Sequence, residues 1–281
     1  MPTLPDTFAV FILTHGRPGN VITMRTLQRC GYTGRFYLIV DNEDASVDRY
    51  CENFGADRVI VFNKQAEADR CDEGNNFDER RTITMARNAC FGIAESLGVT
   101  HFLQLDDDYY YFGRRFAEGA RRIRSFDAVV ASVLAFYTAA TSITSIAFAQ
   151  GGDHIGGFAG VKLKRKCMNS FFCSTARPFR FVGSMNEDVN TYTTLGSRGK
   201  LFFTYTALQL DQKDTQSQSG GITAMYQRFG TYCKAFTTVM MMPSAVRVSM
   251  MSTTTPRLHH CIDWSRAVPC ILPERYRRVA V

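Results

Sequence analysis

The chain lacks the cysteine spacing of a disulfide framework or a zinc cage. Its nine cysteines are an odd number, and no two of them form a C-x-x-C pair, so reduced thiols in a cytoplasm explain them better. The N-terminus, Met1 to Asp6, lacks the basic and apolar regions of a signal peptide. Linker runs and internal repeats are also missing. We therefore expect a cytoplasmic protein with one domain over residues 1–281 and no obligate protein partner.

An excess of acidic residues is absent as well. The 33 Lys and Arg residues outnumber the 26 Asp and Glu residues, which gives a net charge of +7. This balance favours acidic partners such as phosphates or nucleic acid, although it says nothing about the fold. Hydrophobic residues make up 45% of the chain, which is ample for a buried core and excludes a disordered polymer.

One long stretch, Ala128 to Ala149, lacks any charge and is long enough to span a bilayer. Its serines, threonines and Tyr137 make it mild in hydropathy, although the preceding arginines resemble a positive-inside anchor. We expect no membrane association. Residues 126–133 are predicted to form a core strand that follows a basic helix.

Short apolar runs alternate with helical patterns in the first half of the chain. This alternation is typical of an α/β fold with a mostly parallel sheet flanked by helices. Ligands of such sheets bind beyond the carboxyl ends of the strands, so the polar residues at 14–17, 41–44 and 106–108 should converge on one edge. The predicted strands are 8–13, 36–40, 58–62 and 101–105, and the predicted helices are 21–30, 47–54 and 82–97.

Three consecutive aspartates, Asp106, Asp107 and Asp108, follow the fourth predicted strand. Residues two apart in an extended chain point to the same side, so Asp106 and Asp108 are placed to share a cation. Mg²⁺ and Mn²⁺ prefer carboxylates together with substrate phosphates. A solvated acidic turn or a helix cap is the alternative.

Two further segments carry residues suited to the same chemistry. Arg87, on the helix before the aspartates, has the planar fork that binds a diphosphate, although a surface arginine is the commoner outcome. Glu187 and Asp188 follow a glycine-bearing turn and suit a general base. Carboxylates are also favourable at a helix N-terminus, and both interpretations can hold together.

Later segments offer weaker signals. His259 and His260 could ligate a metal, but paired histidines are more often ordinary surface residues. The basic stretch 162–181 has the residue types of a nucleic-acid interface, and a solvated face is its alternative. The polar loop Gln216 to Gly221 either closes over a substrate or only connects two elements.

Taken in order, these motifs resemble the GT-A class of nucleotide-sugar glycosyltransferases. The resemblance covers roughly residues 8–200 and rests on Thr14-x-x-Arg17-Pro18, Ala86-Arg87-Asn88, Leu105-Asp106-Asp107-Asp108, residues 156–165 and Asn186-Glu187-Asp188. Residues 13–18 and 40–44 look most like the phage TET-associated glycosyltransferases, and the 216–221 loop fits too. The resemblance implies a GT-A-like, Rossmann-like domain with a nucleotide-sugar-binding half over about 8–125 and an acceptor half over about 126–281.

The resemblance also implies an activity and roles for individual residues. A sugar would pass from a UDP-sugar to 5-hydroxymethylcytosine in DNA, with Mn²⁺ or Mg²⁺ as cofactor, in the host cytoplasm if the gene is phage-borne. The implied catalytic residues are Asp188 and Glu187, and the implied metal ligands are Asp106, Asp108 and His259. The residues implied to bind the nucleotide-sugar are Thr14, Arg17, Asp41, Arg87 and Asp106. The residues implied to bind the acceptor are Arg165, Arg177, Arg180, Gln216, Gly220 and Gly221. Asp107 could replace either neighbouring aspartate.

A DNA acceptor also fits the positive charge and the arginines at 114–124, 164–180 and 275–278. Phe171, Phe172 and the tyrosines at 109–111 are candidates for stacking on a flipped base, and packing beside the metal loop is the alternative for the tyrosines. A glycan or protein hydroxyl as acceptor, and a non-catalytic nucleic-acid-binding relative, remain open.

Overall fold

The computed structural model describes residues 3–74, 80, 82–151, 161–212, 223–251, 256–270 and 274. The first half confirms the predicted alternation of strands and helices. Its elements are β1 (Phe8–Leu13), α1 (Ile22–Arg29), β2 (Arg35–Asp41), α2 (Val47–Phe54), a 3-10 turn (Ala56–Arg58), β3 (Val59–Phe62), α3 (Lys64–Ala68), α4 (Thr84–Ser96) and β4 (His101–Asp106).

The second half adds strands of both directions and four helices among the described residues. They are β5 (Tyr109–Phe116), β6 (Gly119–Arg122), α5 (Phe126–Ala139), β7 (Ile143–Gln150), β8 (Val161–Lys162), β9 (Phe171–Ser174), α6 (Glu187–Ser197), β10 (Leu201–Gln212), α7 (Thr223–Met241, kinked at Gly230), β11 (Val246–Met251), β12 (Arg257–Ile262) and α8 (Trp264–Ala267).

One large sheet carries the fold, in the order β3-β2-β1-β4-β9-β7-β10-β5-β6, with β8 beside β10. The pairings of β1 with β2 and β4, and of β2 with β3, are parallel. Only β5, β8 and β9 run against the others in the described sheet. The expected α/β architecture with a mostly parallel sheet is therefore confirmed. A separate hairpin, β11–β12, packs against α7.

Residues 126–133 were expected to form a strand, and that prediction is wrong, because they begin α5. The Ser125 side chain accepts a hydrogen bond from the Ala128 amide and caps the helix. The buried positions Phe126, Val130, Val133 and Tyr137 recur at helical spacing and pack on the sheet. Within the described ranges, no helix combines the length and hydropathy needed to cross a bilayer.

The basic helix expected before residue 126 is also absent. The chain there forms the antiparallel hairpin β5–β6, which pairs Arg114 with Arg121 and turns through residues 117 and 118, just before Gly119. Gly119 has a φ of 131°, a value that side-chain-bearing residues avoid. This hairpin is the end of the sheet opposite β3.

Candidate functional site

Loops that follow β1, β2 and β4 meet at one edge of the sheet, as predicted. Thr14 Oγ1 donates to Asp107 Oδ2 at 2.7 Å, and Arg17 Nη1 donates to Asp107 Oδ1 at 3.1 Å. Both oxygens of Asp107 therefore hold the loop after β1. This arrangement makes Asp107 a brace and leaves Asp106 and Asp108 as the aspartates of the triplet with other roles.

Asp41, at the end of β2, is buried and lies in a small charged network. His15 Nδ1 is 2.7 Å from Asp41 Oδ2, and Lys64 Nζ is 3.4 Å from Asp41 Oδ1. Burial opposes ionisation of this carboxyl, but the hydrogen bond from His15 and the charge of Lys64 keep the pKa of Asp41 below its usual value. The same hydrogen bond raises the pKa of His15. The Gly16 amide donates to Asp44 Oδ2 at 2.6 Å, which fixes the loop beside this network.

Arg87 connects this edge of the sheet to the carboxylates of the second half of the chain. It is fully buried, with its Nη2 2.9 Å from Asp106 Oδ1 and its Nε 3.1 Å from Glu187 Oε1. The guanidinium lies over the rings of Phe171 and Phe181, with centroids at 5.2 and 5.7 Å. The predicted proximity of α4, Asp106 and Glu187 is therefore present in the structure, with Arg87 as the bridge.

Burial and the neighbouring carboxylates oppose ionisation of Asp106 despite the guanidinium of Arg87. Burial raises the pKa of Asp106 to about 8, Arg87 opposes this shift, and the carboxylates of Asp108 and Glu187 add to it. A divalent cation would relieve this repulsion, and carboxylate oxygens are the ligands that Mg²⁺ and Mn²⁺ prefer. No group of three or more His, Cys, Asp or Glu side chains in the described ranges is arranged to hold a metal. The residues present therefore fit a cation held by one or two carboxylates together with substrate phosphates, as Mg²⁺ commonly is.

Helix α6 begins at Glu187 and places Asp188 in a buried position beside the Arg87 bridge. Asn186, just before the helix, has a left-handed backbone (φ 53°, ψ 40°), and its amide donates to Lys234 O and Thr238 Oγ1. Such strain in a residue other than glycine persists only where the surroundings enforce it. Burial and the charge of Glu187 raise the pKa of Asp188 to about 7. A carboxylate with this pKa is suited to accept a proton near neutral pH.

The two histidines of β12 lie near lysines. His259 Nε2 is 3.1 Å from Lys166 Nζ, and burial together with Lys166 lowers the pKa of His259 to about 4. His260 is buried, and its Nδ1 is 3.5 Å from the Asn186 amide, so this strand reaches the start of α6. Both rings are neutral at physiological pH, and the lone pairs of His259 Nε2 and His260 Nδ1 face the Lys166 ammonium and the Asn186 amide.

The predicted acceptor residues are scattered. Arg177 donates to the carbonyls of Tyr137, Ala140 and Ile143 and stacks on the Tyr137 ring at 3.8 Å, so its guanidinium secures the end of α5. Arg165 is buried, whereas Arg180 is exposed beside Glu67. Gln216, Gly220 and Gly221 lie outside the described residues, as do 152–160 and 275–281.

The stacking role expected for Phe171 and Phe172 is wrong. Both side chains are fully buried in β9, where Phe172 packs against Phe8 and Phe148. Tyr109 is likewise buried, as its alternative predicted, while Tyr110 is 48% exposed. Adjacent aromatic residues in a central strand point to opposite faces, and here both faces are covered.

Several residues of the site were missed from the sequence. Tyr50 reaches the loop after β1, where its hydroxyl lies 3.0 Å from Thr14 Oγ1 and accepts from the Arg17 amide at 2.8 Å. His15 and Lys64 were missed as partners of Asp41. Only His15 offered a sequence signal, since it lies inside the Thr14-to-Pro18 motif, whereas the contacts of Tyr50 and Lys64 depend on the fold.

Comparisons with known proteins give one family match. The family model described as TET-Associated Glycosyltransferase matches residues 8–221, which is more than half of the chain. No curated protein sequence matches the chain.

Several solved structures share a limited likeness with the chain. Glucosyl-3-phosphoglycerate synthase from Mycobacterium tuberculosis, in complex with Mg²⁺ and UDP, is 8% identical with a TM-score of 0.47, covering 93% of each chain. TarS from S. aureus is 11% identical with a TM-score of 0.44, covering 74% of this chain and 37% of its own. GalNAc-T7 with UDP, GalNAc and Mn²⁺ is 13% identical with a TM-score of 0.44, covering 73% and 43%.

Proposed function

The chain belongs to the TET-associated glycosyltransferase family, and from that premise we propose that it moves a sugar from a UDP-sugar to the hydroxyl of 5-hydroxymethylcytosine in DNA, with Mn²⁺ or Mg²⁺ as cofactor. It is a glycosyltransferase that uses a nucleotide-sugar donor. The acceptor, the nucleotide and the metal are the parts that we propose.

The observation that carries the proposal is the bridge made by Arg87. Its guanidinium contacts Asp106 at the edge of the sheet where the loops after β1, β2 and β4 meet, and it contacts Glu187 at the start of α6. A single buried side chain therefore joins the aspartates of this edge to the carboxylates of α6. Asp188 lies beside Glu187 and is the carboxylate whose raised pKa suits proton transfer. A nucleotide-sugar bound at this edge of the sheet would thus face the carboxylate of Asp188, which follows Glu187, the residue that Arg87 contacts.

The donor side consists of the loop after β1 and the carboxylates at the ends of β2 and β4. Thr14 and Asp107 fix that loop, and Arg17, which is partly exposed, extends from it. We assign Asp41, with its partners His15 and Lys64, to the nucleoside end of the donor. Arg87 positions Asp106 and does not reach solvent, so we assign it an indirect role at the diphosphate.

Asp108 and Asp106 would hold the metal together with the phosphates of the donor, whereas His259, which the resemblance implied as a third ligand, lies against Lys166 and is not grouped with two carboxylates in the described ranges. The cation supplies charge neutralisation for the diphosphate leaving group. Two carboxylates plus phosphates satisfy a hard divalent ion. A bound cation would lower the pKa of Asp106, which burial raises first and the carboxylates of Asp108 and Glu187 raise further.

Asp188 would take the proton of the acceptor hydroxyl. The freed oxygen forms a bond to the anomeric carbon while the bond from that carbon to the phosphate oxygen breaks, and the nucleoside diphosphate leaves. This single displacement inverts the anomeric centre. Glu187, held by Arg87 Nε, keeps the start of α6 aligned and is the positioning partner of Asp188.

An acceptor in DNA is supported by charge and chemistry. The net charge of +7 favours a polyanion. The hydroxymethyl group projects from cytosine C5 into the major groove, so the base must be flipped or the groove entered, at a cost of a few kcal/mol for flipping.

The direct test is release of UDP from UDP-sugars in the presence of Mn²⁺ and duplexes that carry cytosine, 5-methylcytosine or 5-hydroxymethylcytosine at one position. We expect fast release only with the hydroxymethylated duplex. Asp188→Asn should lower this rate at least 100-fold, whereas Asp48→Asn, a matched change at an exposed aspartate of α2, should not. Equal rates with all three duplexes would exclude the hydroxymethyl acceptor.

A further inference from the structure

The hairpin β5–β6 presents a set of exposed arginines at the free end of the sheet. In the antiparallel pairing of the two strands, Arg121 of β6 lies opposite Arg114 of β5, and Arg122 lies opposite Gly113. Arg114, Arg121, Arg122 and Arg124 are all exposed. Arg114 and Arg121 are paired and share one face of the hairpin, while Arg122 belongs to the other face. Arg121, Arg122 and Arg124 nevertheless line one cleft at this edge, and we call the four residues the arginine surface.

Positive charge dominates this surface. Residues 109–125 contain Glu118 as their one acidic residue against five arginines. No ion pair joins any member of the arginine surface to a carboxylate within the described ranges. Asp211, on β10, is the nearby acid, and its carboxylate accepts a hydrogen bond from Gln209.

The guanidinium groups are held in place by aromatic rings. Arg114 and Arg121 lie over the Phe116 ring at 5.9 and 5.1 Å, and Arg122 lies over the Tyr111 ring at 5.8 Å. Stacking of this kind reduces the conformational freedom that a long side chain loses on binding. An open cleft of about 640 Å³ lies between Tyr111, Arg121, Arg122 and Arg124.

The position of the surface relative to the site is fixed by one strand. β5 begins one residue after Asp108 and leads directly to Arg114. Six residues of extended chain span about 20 Å at about 3.3 Å per residue. The same length of one DNA strand corresponds to about six nucleotides at about 3.4 Å each.

We propose that the arginine surface binds the phosphate backbone of the acceptor DNA, about six nucleotides from the base that occupies the site. This inference rests on the proposed DNA acceptor. Planar guanidinium forks match phosphate geometry, and four exposed arginines without a lysine in residues 109–125, where the fifth arginine, Arg115, is buried, favour phosphate recognition over simple solvation. Charged residues also protect edge strands from pairing, and that function alone predicts no effect on DNA.

The test is DNA binding by the full chain carrying Arg114→Gln, Arg121→Gln and Arg122→Gln together. The probe is a fluorescent 30-base-pair duplex with a central 5-hydroxymethylcytosine, measured by anisotropy from 50 to 300 mM NaCl. The matched control carries Arg49→Gln, Arg58→Gln and Arg70→Gln, three exposed arginines at the β3 end of the sheet. Arg58 is also ring-stacked, over Phe36 at 4.8 Å.

We expect the hairpin variant to bind at least tenfold more weakly than the control variant at 150 mM NaCl. The slope of log K against log salt should fall by about 0.9 for each phosphate that the variant no longer neutralises, thus by up to about 3. Equal affinity and equal slope in the two variants would overturn the proposal, whatever the transfer assay gives. Hydrolysis of UDP-sugar without DNA should be unchanged in both variants, which shows that they are folded.

Duplex length separates this proposal from the proposed function. On a duplex with three base pairs on either side of the modified base, the hairpin variant should transfer sugar as fast as wild type, because that duplex does not reach the surface. On the 30-base-pair duplex its KM should rise at least tenfold with little change in kcat. Equal KM values on the long duplex would refute the surface, whereas failure of wild type to modify either duplex would refute the acceptor.

Discussion

Removal of the guanidinium of Arg87 should damage both stability and turnover. Arg87→Met retains an aliphatic stem of similar length but leaves the carboxylates of Asp106 and Glu187 without their partner in a buried site. Loss of one partner of a buried ion pair costs about 3–5 kcal/mol. At about 2–4 °C per kcal/mol for a chain of this size, the melting temperature should fall by roughly 10 °C.

The loss should depend on pH, and its sign follows from Asp106. The pKa of this carboxyl is about 8 with Arg87 present, so at pH 6 it is mostly protonated and needs the guanidinium less. At pH 9 it is ionised in the wild type, and a mutation that raises its pKa above 9 adds up to about 1.4 kcal/mol to the cost, the free energy of one pH unit. The destabilisation of Arg87→Met should therefore be larger at pH 9 than at pH 6.

Urea unfolding of wild type, Arg87→Met, Asp106→Asn and the double variant at both pH values measures this coupling. We expect the double variant at pH 9 to be more stable than the sum of the single losses predicts, because the neutral amide no longer needs a cation. Arg87→Lys retains the charge without the fork and should give an intermediate loss. Unchanged stability in Arg87→Met, or a loss independent of pH, would refute the bridge.

Three further predictions concern the base, the metal and the fold. The kcat/KM of transfer should fall as the pH drops below about 7, because Asp188 must be ionised to take a proton; a flat profile from pH 5.5 to 8.5 would remove it as the base. EDTA should abolish transfer, and added Mn²⁺ should restore it in the wild type. The Asp108→Asn variant should need at least tenfold more Mn²⁺ for half-maximal activity, and an unchanged Mn²⁺ titration would exclude Asp108 as a ligand. Arg177→Met should cost about 2–4 kcal/mol in urea unfolding, because three carbonyls between the end of α5 and the start of β7 lose their donor. Arg180→Met, which breaks a surface pair, should cost under about 1 kcal/mol, and equal losses would contradict the structural role of Arg177.

The parallel first half could be predicted because its strands are short apolar runs that end in polar loops. The segment after it could not be assigned by the same rule. Phe126 to Val133 is mostly apolar, with Asp127 as its one charged residue, and a short apolar run does not distinguish a buried strand from a buried helix. The helical spacing of its buried residues becomes distinct only when Tyr137 is included. The remaining sequence signal for a helix was Ser125, which caps its start. The arginines of the hairpin were predicted to lie on a basic helix. Charged residues are common on the exposed faces of helices and of hairpins alike, so their presence does not distinguish the two.

The site could be predicted at the level of residue types and only partly at the level of roles. The aspartate triplet was found, but the assignment of Asp107 as a brace depends on a contact with Thr14, 93 residues away in the chain. Arg87 was expected at the diphosphate, and its complete burial between two carboxylates is a property of packing that spacing does not encode. For the same reason Tyr50 gave no signal.

Nucleoside mass spectrometry tests the central claim most directly. The protein is incubated with Mn²⁺, a panel of UDP-sugars and DNA containing 5-hydroxymethylcytosine, with unmodified DNA as the control, and the DNA is then digested to nucleosides. We predict a mass gain of one sugar on 5-hydroxymethylcytosine alone. An unmodified nucleoside profile with every donor, while the donor is still hydrolysed, would contradict the DNA acceptor and transfer the activity to another hydroxyl.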